Sequence, residues 1–376
     1  MTHQQNQRIN LKGGFNHFNC FKIFIFCQLL LAACNPILSY QPPATPSPGV
    51  RISPTSRLKP TITSLPVDQM LRQLPAMVTS LLFYDPTSGE AAFYKTDNSG
   101  NLELINQYAD WEQNLSIAPG EYQGDMHTDL FLYDRQKARG WFYIIDGEGS
   151  IAMETSPTQA GSSWDVVLSA DLDQTPREDL FIYDRNNNLA EIYTIDGEGQ
   201  LSLMQSHPGI GKQWDLIVPG EFIEGEYTDF FFYNKEDRYG QFYSSDGAGG
   251  LIPVLPGQVL TRAWDLITPG DFNEDGWTDI LGYNRLEGYG EVYSSDGKGG
   301  MEFLESYPGW SRSWDMIIPG KFSGDEHIDL LFYDKTQRES QFMTSDGAGN
   351  FKFLIRYTSW RPTWNISPGR FGDSNQ

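Results

Sequence analysis

Five tryptophans, Trp164, Trp214, Trp264, Trp314 and Trp364, stand fifty residues apart without drift, and Asn114 holds the same phase one repeat earlier. A period of that length means repeated supersecondary units that bury their faces only against their neighbours. Other features keep the register. Pro-Gly follows at 119–120, 219–220, 269–270, 319–320 and 368–369, with Ser169-Ala170 deviating. An apolar run then ends in Tyr-Asp or Tyr-Asn at Tyr133, Tyr183, Tyr233, Tyr283 and Tyr333, and Asp-Gly-x-Gly-type turns begin at Asp146, Asp196, Asp246, Asp296 and Asp346.

Each repeat holds four short apolar runs separated by turn residues. In one copy they are Trp264–Thr268, Asp279–Tyr283, Glu291–Ser295 and Gly300–Leu304. Four strands in about fifty residues is the spacing of one antiparallel blade. Runs such as Asp229-Phe230-Phe231-Phe232-Tyr233 suit sheets covered on both faces. Blades packed around an axis achieve that cover. An open β-solenoid would want shorter coils and a capping end, and neither is visible.

The chain ends choose between ring and rod. The first recognisable repeat begins midway, at Leu81-Leu82-Phe83-Tyr84-Asp85, and the last stops after Trp364–Phe371. One end supplies what the other lacks. The expectation is an all-β, six-bladed β-propeller over 81–376, closed by a split blade whose C-terminal strand pairs beside Leu81–Asp85.

The run Pro269-Gly270-Asp271-Phe272-Asn273-Glu274-Asp275-Gly276-Trp277-Thr278-Asp279-Ile280-Leu281 resembles FG-GAP/VCBS-type repeats of integrin-α-like propellers and bacterial surface proteins. The resemblance is close at Gly270–Asp279 and looser elsewhere, and a count of six blades departs from the commoner seven. It implies a propeller, calcium in some loops, and binding roles more often than catalysis.

Asp271, Asn273, Asp275 and Asp279 place hard oxygens at alternate positions of a tight loop, and Trp277 adds a carbonyl, as Ca²⁺ requires. These are also the liganding positions that the resemblance implies. The competing reading is that Asp and Asn cap the turn. Asp171, Asp173 and Asp179 form a weaker candidate, having lost the central acid and the glycine. Lys321 replaces the first ligand ahead of Asp325 and Asp329. One calcium site is expected rather than six.

The repeat tryptophans read as packing between blades. Trp310 and Trp360 stand in loops and are the candidates for contact with a glycan or protein ligand. The five histidines, His3, His17, His127, His207 and His327, suggest no catalytic or zinc cluster, and no Ser-His-Asp or Cys-His arrangement is visible.

The N-terminal stretch reads as an address. Arg8, Lys12 and Lys22 precede the apolar run Ile23–Ala33, which is too short to span a bilayer. Leu31-Ala32-Ala33-Cys34 resembles the lipobox of bacterial lipoproteins, which implies cleavage after residue 33 and acylation of Cys34; an ordinary secretory signal is the alternative. Residues 34–80, rich in Pro, Ser and Thr, read as a tether. A net charge of −22 repels phosphate backbones, so nucleic acid is not an expected partner. Cysteines occur only at 20, 27 and 34, which leaves the repeats without disulfides.

The functional expectation is a non-catalytic, lipid-anchored binding or scaffold module of the bacterial cell envelope, periplasmic or surface-exposed, with an unknown protein or glycan ligand. A carbohydrate-binding lectin and a metal-dependent hydrolase are the alternatives. The hydrolase would need carboxylates and cations converging at one channel mouth.

Overall fold

A computed structural model describes residues 79–211 and 213–372. The expected signal peptide, Cys34 and nearly all of the tether lie outside the described residues. Six antiparallel sheets form six blades. Blade I joins Asn365–Gly369 to Ser80–Tyr84, Ala91–Thr96 and Leu102–Tyr108. Blades II to VI are continuous in sequence and begin at Ser116, Val166, Leu216, Leu266 and Met316. The inner strands touch one another in a closed circuit, the last neighbouring both the fifth and the first.

The split blade forms as expected, with Ser80 opposite Gly369 and Tyr84 opposite Asn365. The first strand starts at Ser80, at the edge of the expected tether, because Thr79 is already fastened to blade VI. Its amide donates to the Lys321 carbonyl (3.1 Å) and its Oγ1 accepts the Lys321 amide (2.8 Å). On the other flank Thr128 takes the Arg370 amide at 2.8 Å. These bonds flank the seam and leave no free sheet edge there.

The second strands are buried along their whole length apart from the end of one, because neighbouring blades cover both faces. Aromatic rings fill the gaps. Trp214 packs edge-on against Phe232 of blade IV (5.5 Å between centroids), and Trp264 lies on Tyr233 (5.4 Å, 30°). All five repeat tryptophans are buried, so they pack the ring. The tyrosine that closes each second strand ties one blade to the next. The Tyr233 hydroxyl accepts the Trp264 amide (3.0 Å) and donates to the Arg262 carbonyl (3.2 Å). Blade II slips by one residue at this bond, since the Tyr84 hydroxyl takes the amide of Leu115 and not of Asn114.

Candidate functional site

In each of blades II to VI the loop after the inner strand and the Asp-Gly turn lie on one face of the ring. The tyrosine hairpins and the connections between blades lie on the other, because successive strands alternate in direction.

The metal-candidate loop is Asp271–Asp279. Asp271 accepts the Gly276 amide (3.0 Å), Asn273 the Asp275 amide (2.9 Å) and Asp275 the Trp277 amide (2.9 Å). Asp279 is buried and uses both oxygens on backbone, taking the amides of Phe272 (2.9 Å) and Ser295 (3.1 Å). Among the described residues no group of three or more His, Cys, Asp or Glu is disposed to hold a metal ion. Asp271 Oδ1 is buried without a hydrogen-bond partner among the described residues, as is Glu121 Oε2 at the same place in blade II. In the weaker candidate Asp173 caps Thr175 (2.6 Å), Asp179 takes the Leu172 amide (3.3 Å), and the Asp171 amide donates to Thr228 (3.1 Å).

The first residues of the six loops are Glu121, Asp171, Glu221, Asp271, Lys321 and Arg370, four acids and two bases at one end of the inner strands. Several turn aside. Glu121 caps Gly124 (2.7 Å), Lys321 pairs with Glu326 (2.9 Å) and Arg370 donates to the Met126 carbonyl (2.9 Å). These contacts hold loops.

The aromatic candidates need correction. Trp360 is 1% exposed and packed against Phe83 and Tyr357, so it has no face to offer a ligand. Trp310 is half-buried, stacked on Tyr307 (4.9 Å, 17°) and edge-on to Phe332. The Trp310 ring also lies over Gly290, the second residue of the third strand.

A different pair carries chemistry. At four blade junctions the second-strand side of one blade fastens to the loop of the blade before it through a threonine, as in Thr278, whose Oγ1 takes the Glu221 amide (2.9 Å). Glu178 does this between blades II and III. Between blades V and VI the residue at that place is Ile328, which has no hydroxyl. There, instead, Glu274 of blade V meets His327 of blade VI through a hydrogen bond from His327 Nδ1. Both side chains are accessible, 48% and 28% exposed. Glu274 has a φ of 62°, which turns it out of the loop. The His327 ring is also braced by its backbone, whose amide donates to Asp325 (3.1 Å). Burial opposes its charged form, but the Glu274 bond and the charges of Asp325, Glu274 and Asp329 outweigh that and raise its pKa above the ordinary value.

An imidazole whose Nδ1 proton is held by a carboxylate has Nε2 as its acceptor, the geometry of a general base with its orienting group. His327 Nε2 makes no hydrogen bond among the described residues. Sequence reasoning missed this pair. His127 and His327 do share a repeat phase, two hundred residues apart, but Glu274 lies in another repeat and only blade packing joins them.

No protein-family model matches the chain, and a search of curated proteins finds no match. Solved structures do match in outline. The periplasmic gluconolactonase of Pseudomonas aeruginosa is 16% identical over 78% of this chain and 85% of its own, at a TM-score of 0.49. A Lactobacillus plantarum protein is 12% identical over 78% and 99% (TM-score 0.48). A Bacteroides fragilis protein provisionally named a 6-phosphogluconolactonase is 10% identical over 77% and 98% (TM-score 0.46). The expectation of a non-catalytic module is corrected here. It rested on the spacer, the repeats and the missing catalytic constellation; chains matched in outline bear the names of enzymes, and a ring of blades by itself gives no ground for excluding catalysis.

Proposed function

We propose that the chain is a hydrolase acting on an ester-type carbonyl, lactones included, with His327 as general base and Glu274 as the residue that positions it. The observation behind the reading is the accessible Glu274–His327 bond at the junction where Ile328 replaces the usual latch. His327 Nε2 takes a proton from a water as its oxygen bonds to the carbonyl carbon. When the tetrahedral intermediate collapses, the C–O bond to the leaving alkoxide breaks and Nε2 returns the proton to that oxygen. Glu274 stabilises the imidazolium that exists between these steps.

The test is turnover by the full chain of δ-gluconolactone and p-nitrophenyl acetate; neighbouring names guide only this first choice of substrates. His327→Gln should lower kcat/KM by about 10²–10⁴. Glu274→Gln should lower kcat more than it changes KM, with an unchanged melting temperature. Turnover that survives His327→Gln, or a wild-type chain inert on both substrates, overturns the proposal.

Calcium at Asp271–Asp279 belongs to the same reading. The buried Asp271 Oδ1, without a partner among the described residues, and the oxygens of half-buried Asn273 and exposed Asp275 suit a hard cation, with Trp277 as carbonyl donor. Such an ion would neutralise the loop that carries Glu274. We also propose an envelope location with a membrane anchor at Cys34, supported by the basic start, the apolar run and Leu31-Ala32-Ala33-Cys34.

A further inference from the structure

The outer strands of the blades differ in charge. Those of blades I, II, V and VI each carry an acid or a base, among them Glu103, Glu154, Glu302 and Lys352. Those of blades III and IV, Leu201–Pro208 and Leu251–Val259, contain no Asp, Glu, Lys or Arg. The two strands are neighbours in the ring. The Asp-Gly turn of blade IV packs on the outer strand of blade III, where His207 Nε2 donates to the Gly249 carbonyl (2.7 Å) and Gly249 lies against Met204. On this uncharged sector Leu203, Ile252, Leu255 and Val259 stand exposed, the last two at 57% and 67%. Every other outer strand exposes one large apolar side chain, and that of blade IV exposes three.

Blade IV holds its three on a fixed frame. Leu255 has a φ of 57°, a conformation that a bulky side chain adopts rarely. The buried Gln241 keeps it there, its Nε2 donating to the Val254 and Leu255 carbonyls (both 3.1 Å). Pro253 and Pro256 have no amide, so this edge is poorly suited to accept a further strand, and a partner meets side chains instead. A partner recognised by its charge would find no answering charge in these strands. A second copy needs none, because a two-fold contact sets the sector against itself. At a formal net charge of −22, two copies repel least where neither presents a charge.

We infer that the chain forms a two-fold dimer through the outer strands of blades III and IV. Four apolar side chains per copy make a small interface, so dissociation should be on the order of 10 µM. The test is sedimentation velocity of the full chain, with Cys34→Ser to remove the expected acylation, from about tenfold below that concentration to about twentyfold above it. A dimer should form, and high salt should leave it unchanged or strengthen it, because the contact is apolar and only repulsion is screened. Leu255→Glu and Val259→Lys, both at exposed positions, should each weaken it by about tenfold or more, since each brings a charge against an apolar partner. Leu286→Glu, on the hairpin of blade V, should leave the dimer intact, and all three variants should keep the circular dichroism of the parent. The inference fails if the parent sediments as a monomer throughout, if the dimer survives both Leu255→Glu and Val259→Lys, or if Leu286→Glu or high salt dissolves it. It fails too if a monomeric chain binds phosphatidylcholine vesicles and Leu255→Glu releases it, which would give the sector to a lipid surface.

Discussion

Asp279 Oδ2 accepts the backbone amide of Phe272 at 2.9 Å, across the loop that was the leading metal candidate. With the Ser295 amide on Oδ1, one carboxylate pins the first, second and third strands of the blade. Asp129, Asp229 and Asp329 make the same pair of contacts, and Asp179 keeps the first. This explains why the last acid of every loop persists while the middle positions decay: it holds backbone. Blade I has Ser80 at this place, with its hydroxyl buried and unpartnered among the described residues.

Asp229→Asn tests that role away from any metal candidate. Asp229 Oδ2 accepts the amides of both Phe222 (3.1 Å) and Ile223 (2.7 Å) while the Ser245 amide also bonds the carboxylate, so an amide side chain that keeps its oxygen on the first two turns its NH2 toward Ser245. A buried N–H left unpaired should cost about 1–3 kcal/mol, read as a lower urea midpoint at unchanged slope.

The same acids predict a pH dependence of stability. Burial is the largest cause that pushes Asp129 and Asp229 up to about 7, against the amides that favour their charged forms. The folded pKa thus lies above the unfolded value of about 3.9, so the native state holds these protons longer. The stabilisation is full below the unfolded value and is lost as pH climbs through about 7. Urea midpoints should fall between about pH 5 and pH 8, and the slope should be smaller in Asp229→Asn.

Turnover should carry the signature of His327. Its pKa is raised, so Nε2 is protonated and useless as a base until the pH exceeds the ordinary histidine value. The rate should rise with pH, and the midpoint of that rise should lie above the ordinary histidine value of about 6.5. Removing the Glu274 carboxylate should move that rise to lower pH.

Closure of the ring can be cut directly. Ending the chain before Trp364 removes the strand opposite Ser80–Tyr84 and three buried core residues, Trp364, Ile366 and Phe371. The exposed edge of an apolar strand should drive association, visible as larger species on size exclusion and a broadened thermal transition.

Calcium is tested by chelation. A chelator should lower the melting temperature of the wild type and leave Asp275→Ala unmoved, whereas Asp325→Ala should still respond. An equal response in both variants would remove the distinction between the two loops.

The fold was legible because its signals are periodic. Trp264, Tyr283 and the Asp-Gly turns recur at one spacing, and the incomplete ends at Leu81 and Trp364 complement each other, so strand count, blade count and closure could be read along the chain. Burial was legible only where it repeats: the five phased tryptophans read correctly as packing, while the loop position of Trp360 concealed a fully buried ring.

The candidate sites were not legible for the opposite reason. They lie where one blade departs from its siblings and meets another: Ile328 with Glu274 and His327, and the uncharged outer strands of blades III and IV. A repeat search averages such departures away, and their partners come from different repeats. Sequence alone determined the unit and its number, since a fifty-residue period with four apolar runs leaves little but a closed ring. Which unlike residues face each other across a junction was decided by the packing of blades, because contact between repeats depends on the angle and depth at which two sheets meet.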